Sequence, residues 1–281
     1  MGHRCDRREF IAGASASAIA LAMHDQLAFG FPSQDPVVKA ASPGEARFRT
    51  MRLHTAADLG EMKQFYQGLL GFEVLDEQDG EITFKAGLTK LTYMTTTKEY
   101  DRPWYHVAFN IPENKLWKAR EWQLQRTPLK QRSPGSMTHP DYPDVANFWK
   151  WNAESVFFWD PANNLLEYIA RHDLDNAAPG EFTSKDILYA SELGFMVEDA
   201  PGMAKQVEKA LSLNPYREGN ARLTPVGDEY GLLLIFGKGH HWRMSDGSTR
   251  PTDVYPAQVT IQGAKPMKYE FEGYPYRVEV V

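Results

Sequence analysis

Residues 104–112 read "WYHVAFNIP", and the reading of this run decides the fold. Trp104, Tyr105, Val107, Phe109 and Ile111 are strand formers, and Pro112 stops the run before a helix-like stretch. On period-2 alternation Val107, Phe109 and Ile111 share an apolar face, which leaves His106, Ala108 and Asn110 on a more polar one. The strand thus has a core side and a second side that carries an imidazole.

Working outward, the same order of elements recurs. Upstream, "RFRTMRLHT" is extended. "DLGEMKQFYQGLLG" reads as a helix capped by Asp58 and ended at Gly71, and "FEVLDE", "EITFKA" and "KLTYMTT" read as strands with a turn at Asp79-Gly80. After residue 112 come a helix, "ENKLWKAREWQLQRT", and the strands "SVFFWDP" and "NLLEYIARH". Between them lies a Pro-rich, aromatic insertion suited to covering a pocket mouth. A third copy begins at "ELGFMVED", residues 192–199, which matches "HVAFNIPE" in rhythm with Glu192 at the place of His106. "GMAKQVEKALSL" is its helix and "GLLLIFG" a strand, and the tail from Pro256 reads as hairpins. A repeat of about 55 to 60 residues with strands around one helix predicts an α+β fold of tandem βαβββ modules. Their sheets are expected to curl into a cupped half-barrel, with a third, degenerate module at the C-terminus.

The predicted organisation is a signal over 1–30, a linker over 31–45, a paired βαβββ domain over 46–173, a linker over 174–185, and the degenerate module with its hairpins over 186–281. The signal is read from "RCDRREFIAGASASAIALA", where Arg7 and Arg8 precede Phe10 and a weakly apolar run of Ala, Gly and Ser. That is the layout of a twin-arginine export signal, so a periplasmic or otherwise exported location is expected. The apolar run is too short to span a bilayer, so no membrane insertion is expected after cleavage. The only cysteine, Cys5, lies in this segment, which leaves a mature protein without disulfides or a thiol nucleophile. With 31 basic against 37 acidic residues, a net charge of −6, there is no electrostatic reason to expect nucleic acid as a partner. A small-molecule substrate and a homodimer are the partners expected.

Three residues on inward strand faces carry the candidate chemistry. His106 is one, with a buried, satisfied histidine as its alternative reading. Glu167 is the second. It follows "DPANN", a turn in which Asn163 takes the position that most needs positive φ, and its strand is apolar on both sides. A carboxylate there must be charge-paired, protonated or metal-bound, with Arg52 and Arg171 as the ion-pair alternatives. His54 is the third, since Met51 and Leu53 should face the helix. Two histidines and one glutamate from three strands would form a facial metal site with open positions. Iron(II) or manganese suits oxidative chemistry at such a divalent site, and zinc or nickel suits isomerase or lyase work. Tyr105 and His139 stand as acid–base candidates, and Trp104, Trp151 and Asn152 as substrate-binding ones. His240-His241 reads as a surface loop, because neighbours on an extended chain point opposite ways.

"LHTAADLGEMKQFYQGLLGFEVL", "YHVAFNIPENKLWKA" and "FFWDPANNLLEYIARHD" together resemble the vicinal oxygen chelate superfamily of glyoxalases, bleomycin and fosfomycin resistance proteins and extradiol dioxygenases. In members with a two-histidine, one-glutamate site, the second histidine and the glutamate stand where His106 and Glu167 stand here. Two departures matter. The first histidine usually precedes the helix-opening Asp by seven residues, which selects Met51, whereas His54 precedes Asp58 by four; strand parity favours His54. The strand "KLTYMTT" lacks the extra carboxylate of glyoxalases, which disfavours a four-ligand site. The resemblance implies a metal-dependent dioxygenase-like, lyase or isomerase activity on a small substrate with adjacent oxygens, in a protein that its signal would export. A metal-free binding protein for aromatic or antibiotic ligands is the alternative. The third module is expected to shape, cover or dimerise with the first two.

Overall fold

The chain divides into a segment Met1–Ser33 and one body, Gln34–Val281. The computed structural model describes residues 46–131, 137–243, 249–263 and 265–281. The signal and linker expected over residues 1–45 lie outside the described residues.

The first module contains β1 (Phe48–Thr55), α1 (Leu59–Lys63) running on into a π-helical turn (Gln64–Leu69), β2 (Glu73–Gln78), β3 (Glu81–Ala86) and β4 (Thr89–Thr95). Asp58 caps α1 by accepting the amide N–H groups of Gly60 and Glu61, and Gly71 at φ +73° ends the helical segment. The second module contains β5 (His106–Ile111), α2 (Leu116–Leu124), β6 (Val145–Phe148), β7 (Ala153–Trp159) and β8 (Leu165–Arg171). The third contains β9 (Tyr189–Val197), α3 (Ala200–Leu211), β10 (Leu223–Asp228) and β11 (Gly231–Gly237). A short ribbon of β12 (His241–Arg243) and β13 (Thr249–Pro251) precedes β14 (Ala257–Ile261), β15 (Met267–Glu270) and β16 (Tyr276–Val280).

The strands form two curled seven-stranded sheets, β15-β16-β14-β1-β4-β3-β2 and β10-β11-β9-β5-β8-β7-β6, with β12-β13 apart. The α+β class and the modular half-barrel are as the sequence predicts. The pairing of modules is not. Modules one and two were expected to pair as one domain over 46–173, because neighbours in sequence usually neighbour in space. Instead β5 pairs antiparallel with β9, with Val107 opposite Leu193 and Ala108 opposite Glu192. The first module's β1 pairs antiparallel with β14 of the C-terminal tail, with Met51 opposite Val259. The tail is therefore a fourth, helix-free partial module that completes the first sheet.

Alternation sorts each strand of the second sheet between two faces. Val107, Phe109 and Ile111 enter the main core with Leu166, Tyr168, Leu193, Phe195, Leu233 and Ile235. Each such side chain contributes roughly 1.5–3 kcal/mol on burial, so a one-residue slip of register would be prohibitive. The opposite face carries His106, Glu167 and Leu234. A bulge sets the phase of β9: Ala108 opposes Glu192 and Phe109 opposes Ala190, so Ser191 is the extra residue and Glu192 turns to the His106 side.

The turn before β8 fixes where that face begins. Asn163 has φ +60°, as expected for "DPANN". The buried Asn164 donates from Nδ2 to Asp160 Oδ2 at 2.7 Å, and its Oδ1 accepts the Tyr105 N–H at 2.8 Å. Tyr66 Oη also donates to Asp160 Oδ2, at 2.7 Å, which ties the π-helical turn of module one to module two. Asn164 therefore clamps the start of β5 beside the start of β8. Asn164→Ala should cost about 2–4 kcal/mol in urea unfolding, since it orphans a buried N–H and loosens a buried carboxyl. A loss below about 0.5 kcal/mol would contradict this role.

Candidate metal centre

Three ionisable side chains converge on the open face of the second sheet: His106 from β5, Glu167 from β8 and Glu192 from β9. One ligand atom from each lies within 4.8 Å of the others, and among the described residues this is the group that could hold a metal ion. His106 Nε2 lies 3.2 Å from Glu167 Oε2 and 3.5 Å from Glu192 Oε2. All three side chains are buried.

The backbone sets the imidazole. His106 Nδ1 lies 3.1 Å from the Leu165 carbonyl oxygen, which can only accept, so Nδ1 carries the proton and Nε2 is turned towards the two carboxylates. Glu192 Oε1 is held by an ion pair with Arg171 Nη2, and Arg171 Nε donates to Asn110 Oδ1 at 3.1 Å. Glu167 Oε1 is buried and has no hydrogen-bond partner among the described residues. An unpartnered buried carboxylate oxygen is costly, and it belongs to the carboxylate whose other oxygen, Oε2, lies against His106 Nε2.

The charges of the three groups interlock. Burial opposes the imidazolium of His106, but hydrogen bonds and attraction from Glu167 and Glu192 outweigh it and raise its pKa to about 9. Burial and repulsion from Glu192 push Glu167 up. Burial also works against the Glu192 anion, yet His106 and Arg171 hold it below the usual carboxylate range. Without a metal, a proton on His106 therefore bridges two anions. A divalent cation would take the place of that proton among His106, Glu167 and Glu192, so the donor set fits such an ion.

The module symmetry explains the ligand count. Ala108 of β5 lies beside Glu167 of β8, and in β9 and β11 the matching pair is Gly194 and Leu234. Glu192 thus occupies the third-module counterpart of His106, while Leu234 replaces a counterpart of Glu167. Three of four symmetric positions offer ligands and the fourth is apolar.

The expected triad requires one correction. His54 does not join His106 and Glu167, because β1 lies in the other sheet, where His54 stands beside Met94 of β4. Its backbone N–H donates to Tyr105 Oη at 3.1 Å, and burial followed by repulsion from Arg52 lowers its pKa. Glu192 takes the third place in the convergent group, so the third module contributes a side chain to it as well as shape. The ion-pair alternatives for Glu167 also resolve: Arg52 binds Glu81 through two bonds of 3.1 and 2.6 Å, and Arg171 binds Glu192.

A cavity of about 330 Å³ opens above the triad. Its wall includes Phe148, Trp151, Phe157, Phe236 and Trp242, with Lys130, Arg222, His240 and His241 among its polar members. Of the residues expected to bind substrate, Trp151 lines this cavity. Trp104 packs with Ala146, Phe157 and Leu165 and lines a small adjoining recess. Asn152 adopts φ +46° and donates to Asp173 at 2.7 Å. Tyr105 Oη donates to the Pro256 carbonyl at 2.7 Å, joining the two sheets. His139 accepts the Asp141 N–H and packs against Trp117 and Tyr142 on the α2 side. Asn152, Tyr105 and His139 are absent from the described cavity lining.

The reading of His240-His241 as a plain surface loop missed the cavity, since both residues line it. Both ring nitrogens of His240 are buried without a partner among the described residues, and burial, then repulsion from Arg222, lowers its pKa to about 4. The sequence did hold a signal for Glu192, its match to His106 in the repeated rhythm. No comparable signal marked Arg222 or His240.

No protein-family model matches the sequence, and no curated protein does. Solved structures do match. A Bacillus subtilis protein named "putative dioxygenase" aligns over 85% of this chain and 86% of its own at 11% identity, with a TM-score of 0.53. Glyoxalase I from Zea mays aligns over 84% of this chain and 92% of its own at 17% identity, with a TM-score of 0.50. The chain therefore shares its fold with these solved structures. No helix among the described residues is long and apolar enough to cross a membrane.

Proposed function

We propose that this protein is an exported, divalent-metal-dependent enzyme that converts a small substrate with adjacent oxygens, by dioxygenase-like or by lyase or isomerase chemistry. His106, Glu167 and Glu192 hold the metal. The observation that carries this reading is the convergence of three buried ligand groups, one of them a carboxylate with an unpartnered oxygen, beneath an aromatic cavity. A one-imidazole, two-carboxylate set suits manganese or iron(II), with zinc or nickel as less matched occupants. A bound divalent ion supplies Lewis acidity and chelation of two neighbouring oxygens.

The chain's own residues supply the rest. The Leu165 carbonyl fixes the His106 tautomer, and Arg171 fixes the rotation of Glu192. Trp151, Phe157 and Trp242 exclude water and offer flat apolar surface. His240, neutral at ordinary pH, presents a donor and an acceptor to a bound substrate.

Elemental analysis of purified protein tests the reading. About one metal ion per chain is expected in the native protein and in His54→Ala, and a negligible amount in His106→Ala and Glu167→Ala. Equal and negligible metal in all four would favour the metal-free binding protein, for which the proton-bridged triad is the supporting observation. The export proposal rests on Arg7 and Arg8. Replacing both by lysine should retain the protein in the cytoplasm on cell fractionation, and unchanged export would refute the twin-arginine route.

A further inference from the structure

The charge of the cavity lining goes beyond the metal site and bears on which substrate it takes. The acidic residues of the described lining are Glu167 and Glu192, both committed to the triad. A divalent cation on the triad would match their charge. Arg222 then leaves the described lining net positive, in a space with low-dielectric aromatic walls where such a field is strong.

Arg222 is placed to use that field. It has an exposed side chain with no carboxylate partner among the described residues, and it immediately precedes β10. Its backbone is anchored: the Gly237 N–H donates to the Arg222 carbonyl at 3.1 Å, and the Arg222 N–H donates to Asn220 Oδ1 at 2.9 Å. The approach to β11 is close enough that a Cβ at Gly237 would lie 1.9 Å from the Ala221 carbonyl oxygen, so glycine is required there. Arg222 therefore stands on a fixed base in the wall of the cavity that His240 also lines, and the two buried ring nitrogens of His240 lack partners among the described residues. A guanidinium fork and an unfilled imidazole in one cavity wall match a carboxylate, phosphonate or similar oxyanion.

We propose that the substrate is a flat, aromatic-sized molecule bearing an anionic group separate from its adjacent oxygens, and that Arg222, with His240 beside it, binds that group and sets specificity. This rests on the metal-site reading for the position of the adjacent oxygens, but the anion subsite is testable without it.

The test compares 3,4-dihydroxybenzoate with its neutral isostere 3,4-dihydroxybenzamide by calorimetry on the Mn²⁺-loaded protein, and benzoate with benzamide on the metal-free protein. A charge-assisted contact should favour each carboxylate by about tenfold or more in the native protein. Arg222→Gln should remove that preference while leaving amide binding and Mn²⁺ affinity unchanged. Equal binding of acid and amide, or a preference that survives Arg222→Gln, would overturn the proposal. If Mn²⁺ fails to bind while benzoate still outcompetes benzamide through Arg222, the metal reading fails and the anion subsite stands.

Discussion

Glu192→Gln is expected to lower Mn²⁺ affinity on the order of 10² to 10³-fold, because it removes one of three anionic or basic ligands from a site with no spare donor. The substitution keeps the side-chain shape and leaves a carbonyl oxygen for Arg171, which limits the folding cost. Glu192→Ala would instead strand a fully buried guanidinium, at about 3–5 kcal/mol of stability, and is the poorer probe of metal binding. His54→Ala provides the contrast: it should leave Mn²⁺ affinity unchanged, since its strand belongs to the other sheet. Titration calorimetry on the native protein and the two variants decides the point. Native-like affinity in Glu192→Gln, or its loss in His54→Ala, would refute the assigned ligand set.

The second large effect concerns pH. In the metal-free protein the carboxylates hold a proton on His106, whose pKa lies at about 9. A cation needs the Nε2 lone pair, so protons compete with it throughout the neutral range. Apparent Mn²⁺ affinity should therefore rise about tenfold per pH unit between roughly pH 6 and 8 and flatten above roughly pH 9. The sign for folding is opposite. A histidine whose folded pKa exceeds its unfolded value of 6.5 stabilises the metal-free fold fully below that value and loses the contribution as pH rises through about 9. The metal-free protein should thus unfold more readily at alkaline pH, and Mn²⁺ should restore more of its stability there than at neutral pH. A Mn²⁺ affinity that does not change between roughly pH 6 and 8 would show that no histidine proton is displaced.

Much of the fold was legible because strand faces and helix caps are local. The alternation at Val107, Phe109 and Ile111, the Asp58 cap, the Gly71 stop and the positive φ of Asn163 each follow from a few neighbouring residues, and the structure bears each one out. Two of the three site residues were local in the same sense: His106 and Glu167 lie on adjacent strands of one module. The third ligand was not. A repeat reveals that modules exist but not which ones pair, and that choice depends on long-range register and on the Ser191 bulge that phases Glu192. Parity separated His54 from the core residues Met51 and Leu53, but its strand belongs to the other sheet. Arg222 and His240 lay beyond reach for a related reason: loop residues meet a cavity through tertiary placement, which no periodicity records.

Anomalous diffraction from crystals grown with excess Mn²⁺ tests the central claim most directly. One peak per chain is expected, within about 2.0–2.3 Å of His106 Nε2 and of a carboxylate oxygen from each of Glu167 and Glu192. A peak bound by His54, or no peak in the cup of the second sheet, would contradict it.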